Sequence, residues 1–279
     1  MNRQSNFRLG IIGCGGIAEL VLTTLGREIG SPLAQLSLLV NDRSVARARQ
    51  LLDRMAPLAA STFVRTDISA FLADAPTIVA ECASHTAVRD HGPAILRAGC
   101  DFIVISIGAL ASDGLHQELV EAAEAGGGHL ILPPGAIGGI DALAAARLSG
   151  LESVVYTGRK PPQAWRGTPA ERLVALDSLG APVVFFDGSA RKAAADYPFN
   201  ANVAAALALA GAGLDRTKVR LVADPAITRN VHEFAVSAGC GDFSIRLEGR
   251  PSPANPKTSL MAGYSVAREL LNRTGHVAI

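Results

Sequence analysis

A glycine-rich turn set between a strand and a helix, at the head of an alternating chain, constrains this sequence most. Apolar runs at 8–12 (RLGII), 36–40 (LSLLV), 77–82 (TIVAEC), 102–107 (FIVISI) and 129–132 (HLIL) are short and rich in β-branched residues. Helical patterns lie between them: IAELVLTTLGREIG, SVARARQLLDRM, HGPAILRAG and LHQELVEAAEAG. Such alternation predicts βαβ units, hence a parallel sheet with helices on both faces. Gly99 and the Gly126-Gly127-Gly128 run stand where helix C-caps belong.

The turn itself reads GIIGCGGIAEL. Gly13, Gly15 and Ala18 satisfy G-x-G-x-x-G/A directly after the first strand, with Gly16 inside the motif. The first glycine permits a tight turn, the second admits a pyrophosphate close to the backbone, and the alanine lets the helix pack against the sheet. The helix N-terminus then points at the anion. The second strand ends in LLVNDR, where Asp42 can bind ribose hydroxyls and Arg43 can accommodate a 2′-phosphate. NAD or NADP is the expected cofactor. The turns SIGAL (106 to 110) and PPGAIGGI (133 to 140) follow later strands and face the same expected crevice.

After about residue 133 the texture changes. Strands are expected at 151–157, 183–186, 218–223, 231–236 and 243–248, with Ala-rich helices near 138–148 and 200–212. Period-two alternation at 218–223 and 243–248 suggests antiparallel strands with one wet face, so this part is α+β. The tail TSLMAGYSVARELLNR is an amphipathic helix, capped by Thr258 or Ser259, with Leu260, Tyr264, Ala267 and Leu271 on one face.

The net charge of +1 argues against a grip on nucleic acid or an anionic membrane. The most apolar helical stretch, 202 to 214, is too short and too rich in small residues to span a bilayer. Cys14, Cys82, Cys100 and Cys240 are scattered without metal-ligand spacing, so no metal site is expected and the thiols suit a reducing compartment. The opening MNRQSNFRLG lacks a signal-peptide core, and the expected location is cytoplasmic.

Cations cluster in two proline-containing loops. TGRKPPQAWRGTPAE supplies Arg159, Lys160 and Arg166, and NPKTS supplies Lys257. Arg159, Lys160 and Lys257 are candidates for holding a dicarboxylate substrate. The stretch RNVHEF places His232 inside an expected strand. The residues alone leave it open whether His232 reacts or is merely a half-buried side chain. Glu233 follows it directly and so points to the opposite face, which leaves the imidazole to be oriented by some other partner.

The segments GAIGGIDAL, RKPPQAWRGTPAE, NANVAAALALAGAGLDRTKVRLVADP, RNVHEF and NPKTS occur in this order behind the Rossmann motif. Together they resemble the L-aspartate dehydrogenase family, from about Gly10 to Arg273. The resemblance implies NAD(P)-dependent oxidative deamination of L-aspartate to iminoaspartate, which feeds NAD biosynthesis or hydrolyses to oxaloacetate and ammonia. It implies His232 as the catalytic acid/base and Ala136 and Asn202 as cofactor contacts. It also implies a homodimer and a discontinuous architecture: a nucleotide domain of 1–132 with 253–279, and a substrate and dimerisation domain of 133–252. The alternatives are a related dehydrogenase or reductase on another amino acid or dicarboxylate, and a non-enzymatic NAD(P)-binding protein.

Two departures stand out. Phe199 replaces a lysine usual in the family close to Asn202, and Pro134 replaces a serine before the GAIGG turn. Both bear on affinity and neither touches His232.

Overall fold

The computed structural model describes residues 7–252, 255–275 and 277–278. The chain divides into two compact units, Met1–Pro133 with Ala262–Ile279, and Pro134–Met261.

The first unit runs β1 (Arg8–Ile12), α1 (Gly16–Glu28), β2 (Gln35–Leu39), α2 (Val45–Arg54), β3 (Thr62–Arg65), α3 (Ile68–Ala73), β4 (Ile78–Glu81), α4 (His85–Arg97), β5 (Asp101–Val104), α5 (Asp113–Gly126) and β6 (Leu130–Ile131). The six strands are all parallel, in the order β3-β2-β1-β4-β5-β6. That is the doubly wound order whose direction reverses beside β1, where nucleotides bind outside the strand ends. Leu9, Ile11, Leu36, Leu38, Val79 and Ile103 are fully buried, because helices cover both sheet faces.

Three elements here escape the sequence pattern: β3, the short helix α3, which Asp67 caps by accepting from Ala70 N at 2.9 Å, and the start of α4. β3 is an edge strand with no fully buried residue, so it carries no apolar run to notice. α4 begins at His85 rather than near His91, because the Ser84 side chain accepts a hydrogen bond from Ala87 N at 3.2 Å and caps it there. Pro93 therefore sits inside the helix.

The second unit runs α6 (Ile140–Arg147), β7 (Leu151–Lys160), β8 (Val183–Ser189), α7 (Ala190–Asp196), α8 (Asn202–Ala210), β9 (Lys218–Ala223), β10 (Val231–Ala238), β11 (Gly241–Glu248), β12 (Pro251–Ser252) and β13 (Asn255–Ser259). Its main sheet has the order β11-β10-β7-β9-β8. β10 pairs antiparallel with both β7 and β11, whereas β9 runs parallel to β7 after a crossover through β8, α7 and α8. The sheet is thus mixed, and the expected antiparallel partnership of 218–223 holds only toward β8. One face is buried, with Val154, Tyr156, Phe234 and Val236 facing the core, while Glu233, Ala235, Ser244 and Arg246 stay exposed.

The last helix, α9 (Leu260–Thr274), joins the first unit's core through Ala262, Val266 and Leu270. Its buried stripe differs from the expected one: Tyr264 is exposed, and Ala262, Gly263, Val266, Ala267 and Leu270 are buried. A Cβ at Gly263 would lie 2.6 Å from Leu20 of α1, so the helices meet too closely for a tyrosine on that face. Ser259 does not cap α9, since its hydroxyl is buried without a partner among the described residues. The Thr258 side chain lies outside the described residues.

Candidate active site

In the first unit, β1 delivers the chain into the glycine turn. Gly13 has φ +98°, a left-handed value, and a Cβ there would come within 3.0 Å of the Cys82 carbonyl oxygen. Gly15 is different, because a Cβ there would meet nothing within 4 Å. The space beside it is open to an incoming group. Gly16 begins α1, and no side chain caps that end. The first N–H groups of the helix therefore remain available to an anion. Ala18 is fully buried, which holds α1 down on the sheet. Asp42 and Arg43 are exposed in a short turn just beyond the end of β2, the strand next to β1. These residues fit a dinucleotide: an open, uncapped anion site, with an acidic and a basic side chain past the adjoining strand.

Close by, Glu81 at the end of β4 is fully buried. It accepts from Ala83 N at 2.7 Å, Ser106 N at 3.0 Å and Ser106 Oγ at 3.1 Å. Burial raises its pKa against those hydrogen bonds. It ties the loop after β4 to the SIGAL turn after β5, a link between strand ends that the sequence did not reveal.

In the second unit, register assembles the candidate site. His232 on β10 stands directly across from Gly158 on β7. Residues directly opposed share a face, and so do residues two apart on a strand. Tyr156, Gly158, Lys160, His232 and Phe234 therefore share one face. His232 is 6% exposed and its Nδ1 lies 2.7 Å from the Tyr156 hydroxyl. The two rings are nearly parallel at 13°, with centroids 6.1 Å apart. Nε2 has no partner among the described residues, and it is not one of their fully buried unpaired atoms. The ring's residual exposure therefore includes that nitrogen.

Burial holds His232 neutral: desolvation, helped by the positive charge of Lys160, pushes its pKa down to about 3. An imidazole with its ordinary pKa would titrate near working pH, and this one does not. Lys160 is itself lowered by burial, to about 8. Its ammonium donates to Asn200 Oδ1 and lies 5.1 Å from the Trp165 ring centroid. Trp165 is fully buried and anchored by Nε1 donating to the Val222 carbonyl at 3.0 Å.

The other candidates do not gather here. Arg159 faces the opposite side of β7 from Lys160 and is paired with the buried Asp224 at 2.9 Å. Arg166 is exposed and paired with Asp177. Lys257 lies in β13, and its side chain is outside the described residues, as is that of Phe199. Ala136 is half-buried between Gly135 and Gly139, whose φ values of +70° and +74° shape the turn into α6. Asn202 is exposed at the first position of α8. Tyr156 and Asn200 went unnoticed in the sequence. The Tyr-x-Gly-x-Lys spacing on β7 was the one available signal, and its meaning depends on a partner 76 residues away.

A 3-2-1-4-5-6 parallel sheet with an open glycine turn marks the first unit as a dinucleotide-binding domain of the dehydrogenase class. Residues 13–133 match the family model described as homoserine dehydrogenase, NAD binding domain. Residues 141–273 match the one described as aspartate dehydrogenase, C-terminal. The chain is 47% identical over 269 residues to L-aspartate dehydrogenase of Ralstonia nicotianae, covering 96% of this chain and 98% of that one. It is 49% identical over 270 residues to that of a Polaromonas species, covering 95% and 97%. This chain belongs to the L-aspartate dehydrogenase family. The crystal structure of aspartate dehydrogenase from Thermotoga maritima shares the fold, with a TM-score of 0.71 at 24% identity over 98% of this chain and 99% of that one.

Proposed function

We propose that this chain catalyses the NAD(P)-dependent oxidative deamination of L-aspartate to iminoaspartate, which then hydrolyses to oxaloacetate and ammonia. The observation that carries this reading is His232: buried, neutral, held through Nδ1 and open at Nε2 on the strand that the family resemblance marks. Such an imidazole meets a substrate with one defined nitrogen.

In the first unit, Gly13, Gly15, Gly16 and Ala18 hold the pyrophosphate on the N-terminus of α1, and Asp42 and Arg43 read the ribose. The bound nicotinamide supplies the hydride acceptor. In the second unit, Ala136 and Asn202 contact the cofactor, and Lys160 holds a substrate carboxylate. Lys160 suits that task because its charge is partly desolvated and no carboxylate pairs with it among the described residues. Arg159 does not share the task, since Asp224 already occupies it.

Homodimer formation through the second unit's sheet belongs to the same proposal. The uncovered face carrying Glu233, Ala235, Ser244 and Arg246 supports it, and sedimentation velocity tests it. A cytoplasmic location is supported by four free cysteines, three of them buried.

The test is production of reduced nicotinamide from L-aspartate with NAD and with NADP, run beside a panel of other amino acids and dicarboxylates. Turnover of aspartate above the rest is expected. Preference for another substrate would make the chain a related dehydrogenase. Nucleotide binding without any turnover would make it a non-enzymatic binding protein.

A further inference from the structure

We propose that Tyr156 is a positioning residue that locks His232 in the tautomer protonated on Nε2, so that His232 meets the substrate as a hydrogen-bond donor. This rests on the proposed catalytic role of His232 and specifies what that role is.

The case begins with the phenol. Tyr156 is 1% exposed, and His232 Nδ1 is its one hydrogen-bond partner among the described residues. Burial raises the Tyr156 pKa, so the hydroxyl keeps its proton and has to place it somewhere. If Nδ1 also carried a proton, two donors would face each other or the phenol O–H would be left buried and unpaired. An unpaired buried hydroxyl disfavours that arrangement by roughly ten- to a hundredfold. The phenol therefore donates to Nδ1. A neutral imidazole carries one proton, so the proton sits on Nε2.

The neutral form is secured independently. Desolvation and the charge of Lys160 both oppose an imidazolium. Across the ordinary working range the ring thus has its lone pair occupied at Nδ1 and an N–H at its open nitrogen. It cannot take a proton at Nε2 without first losing one. A neutral imidazole in this state polarises an oxygen or nitrogen of the substrate, as an electrophilic donor.

The backbone is shaped to allow this contact. Gly158 lies between Tyr156 and Lys160 on β7 and directly across from His232. A Cβ there would fall 2.7 Å from the Tyr156 hydroxyl and 3.2 Å from Cζ. The missing side chain is the clearance through which the phenol reaches the imidazole.

The experiment is nitrogen-15 NMR of the histidine rings in the full chain, with His232 assigned by its loss in His232→Gln. Expected is an unprotonated Nδ1 and a protonated Nε2, unchanged from about pH 5 to about pH 9. Tyr156→Phe should shift both nitrogens toward mixed tautomers and lower kcat by about ten- to a hundredfold, with a smaller change in KM. A proton on Nδ1 in the wild-type protein, or an imidazolium within that range, would overturn the proposal. So would a Tyr156→Phe protein with unchanged nitrogen shifts. The catalytic reading fails separately: His232→Ala with full kcat removes it, whatever tautomer the spectra show.

Discussion

Gly158 and Tyr156 are two residues apart on one strand, and the hydrogen atom that stands for a side chain at Gly158 leaves the Tyr156 hydroxyl its path to His232. Adding a methyl group would place a carbon 2.7 Å from that oxygen. Gly158→Ala should therefore displace the phenol and reproduce the kinetic defect of Tyr156→Phe. It should also cost about 1–3 kcal/mol of stability from overpacking. Chemical denaturation and steady-state kinetics check it together. A stable Gly158→Ala enzyme with normal kcat would show that the Tyr156 contact is dispensable.

The buried imidazole makes the protein sensitive to acid. The folded pKa of His232 is lowered to about 3 from an unfolded value of 6.5. Between those values the unfolded chain binds a proton that the native chain does not, so stability falls as pH drops from about 6.5 toward about 3. The slope from this one group reaches about 1.4 kcal/mol per pH unit, and it vanishes above about 6.5. His232→Gln should flatten the acid limb of the denaturation midpoint. An unchanged limb would mean that the imidazole is not buried as described.

Lys160 works in the opposite part of the pH range. Burial lowers its pKa to about 8, so it is cationic below that value and neutral above it. Held substrate carboxylate should then be lost as pH rises, and KM for L-aspartate should increase above about pH 8. Lys160→Met should raise KM about ten- to a hundredfold at neutral pH and abolish that increase. A variant with the wild-type KM and the same alkaline limb would move carboxylate binding to another residue.

The cofactor prediction rests on the turn after β2. Asp42→Ala should weaken NAD more than NADP, and Arg43→Ala should mainly harm NADP. Isothermal titration with each nucleotide measures both. Equal losses, or none, would mean that neither side chain reads the ribose.

The parts legible in the sequence are those encoded within a few residues. The β1 turn with Gly13, Gly15 and Ala18, the alternating βα pattern and the buried strands all depend on local periodicity. β3 was missed because an edge strand carries no buried run. The start of α4 is set by the Ser84 side-chain cap, which lies several residues ahead of the apolar run and leaves no periodic signal. The face of α9 was misjudged because its packing is set by contact with Leu20, far away in the chain. His232 was visible as a residue, but its chemistry was not. Its neutrality and its held nitrogen come from Tyr156 and from burial, which arise only when β10 pairs with β7. The pairing of Arg159 with Asp224 is likewise a product of tertiary structure, and it separates two adjacent cations that looked like one site.

The most direct measurement is the turnover number for L-aspartate with NAD in the wild-type and His232→Ala proteins, each shown to be folded and to bind nucleotide. The expected result is aspartate-dependent production of reduced nicotinamide by the wild type and a loss of about 10²- to 10⁴-fold in kcat for the variant, with nucleotide affinity unchanged. That loss corresponds to roughly 3–5 kcal/mol of transition-state stabilisation. Full kcat in a folded His232→Ala protein, or no aspartate turnover by a nucleotide-bound wild type, would contradict it.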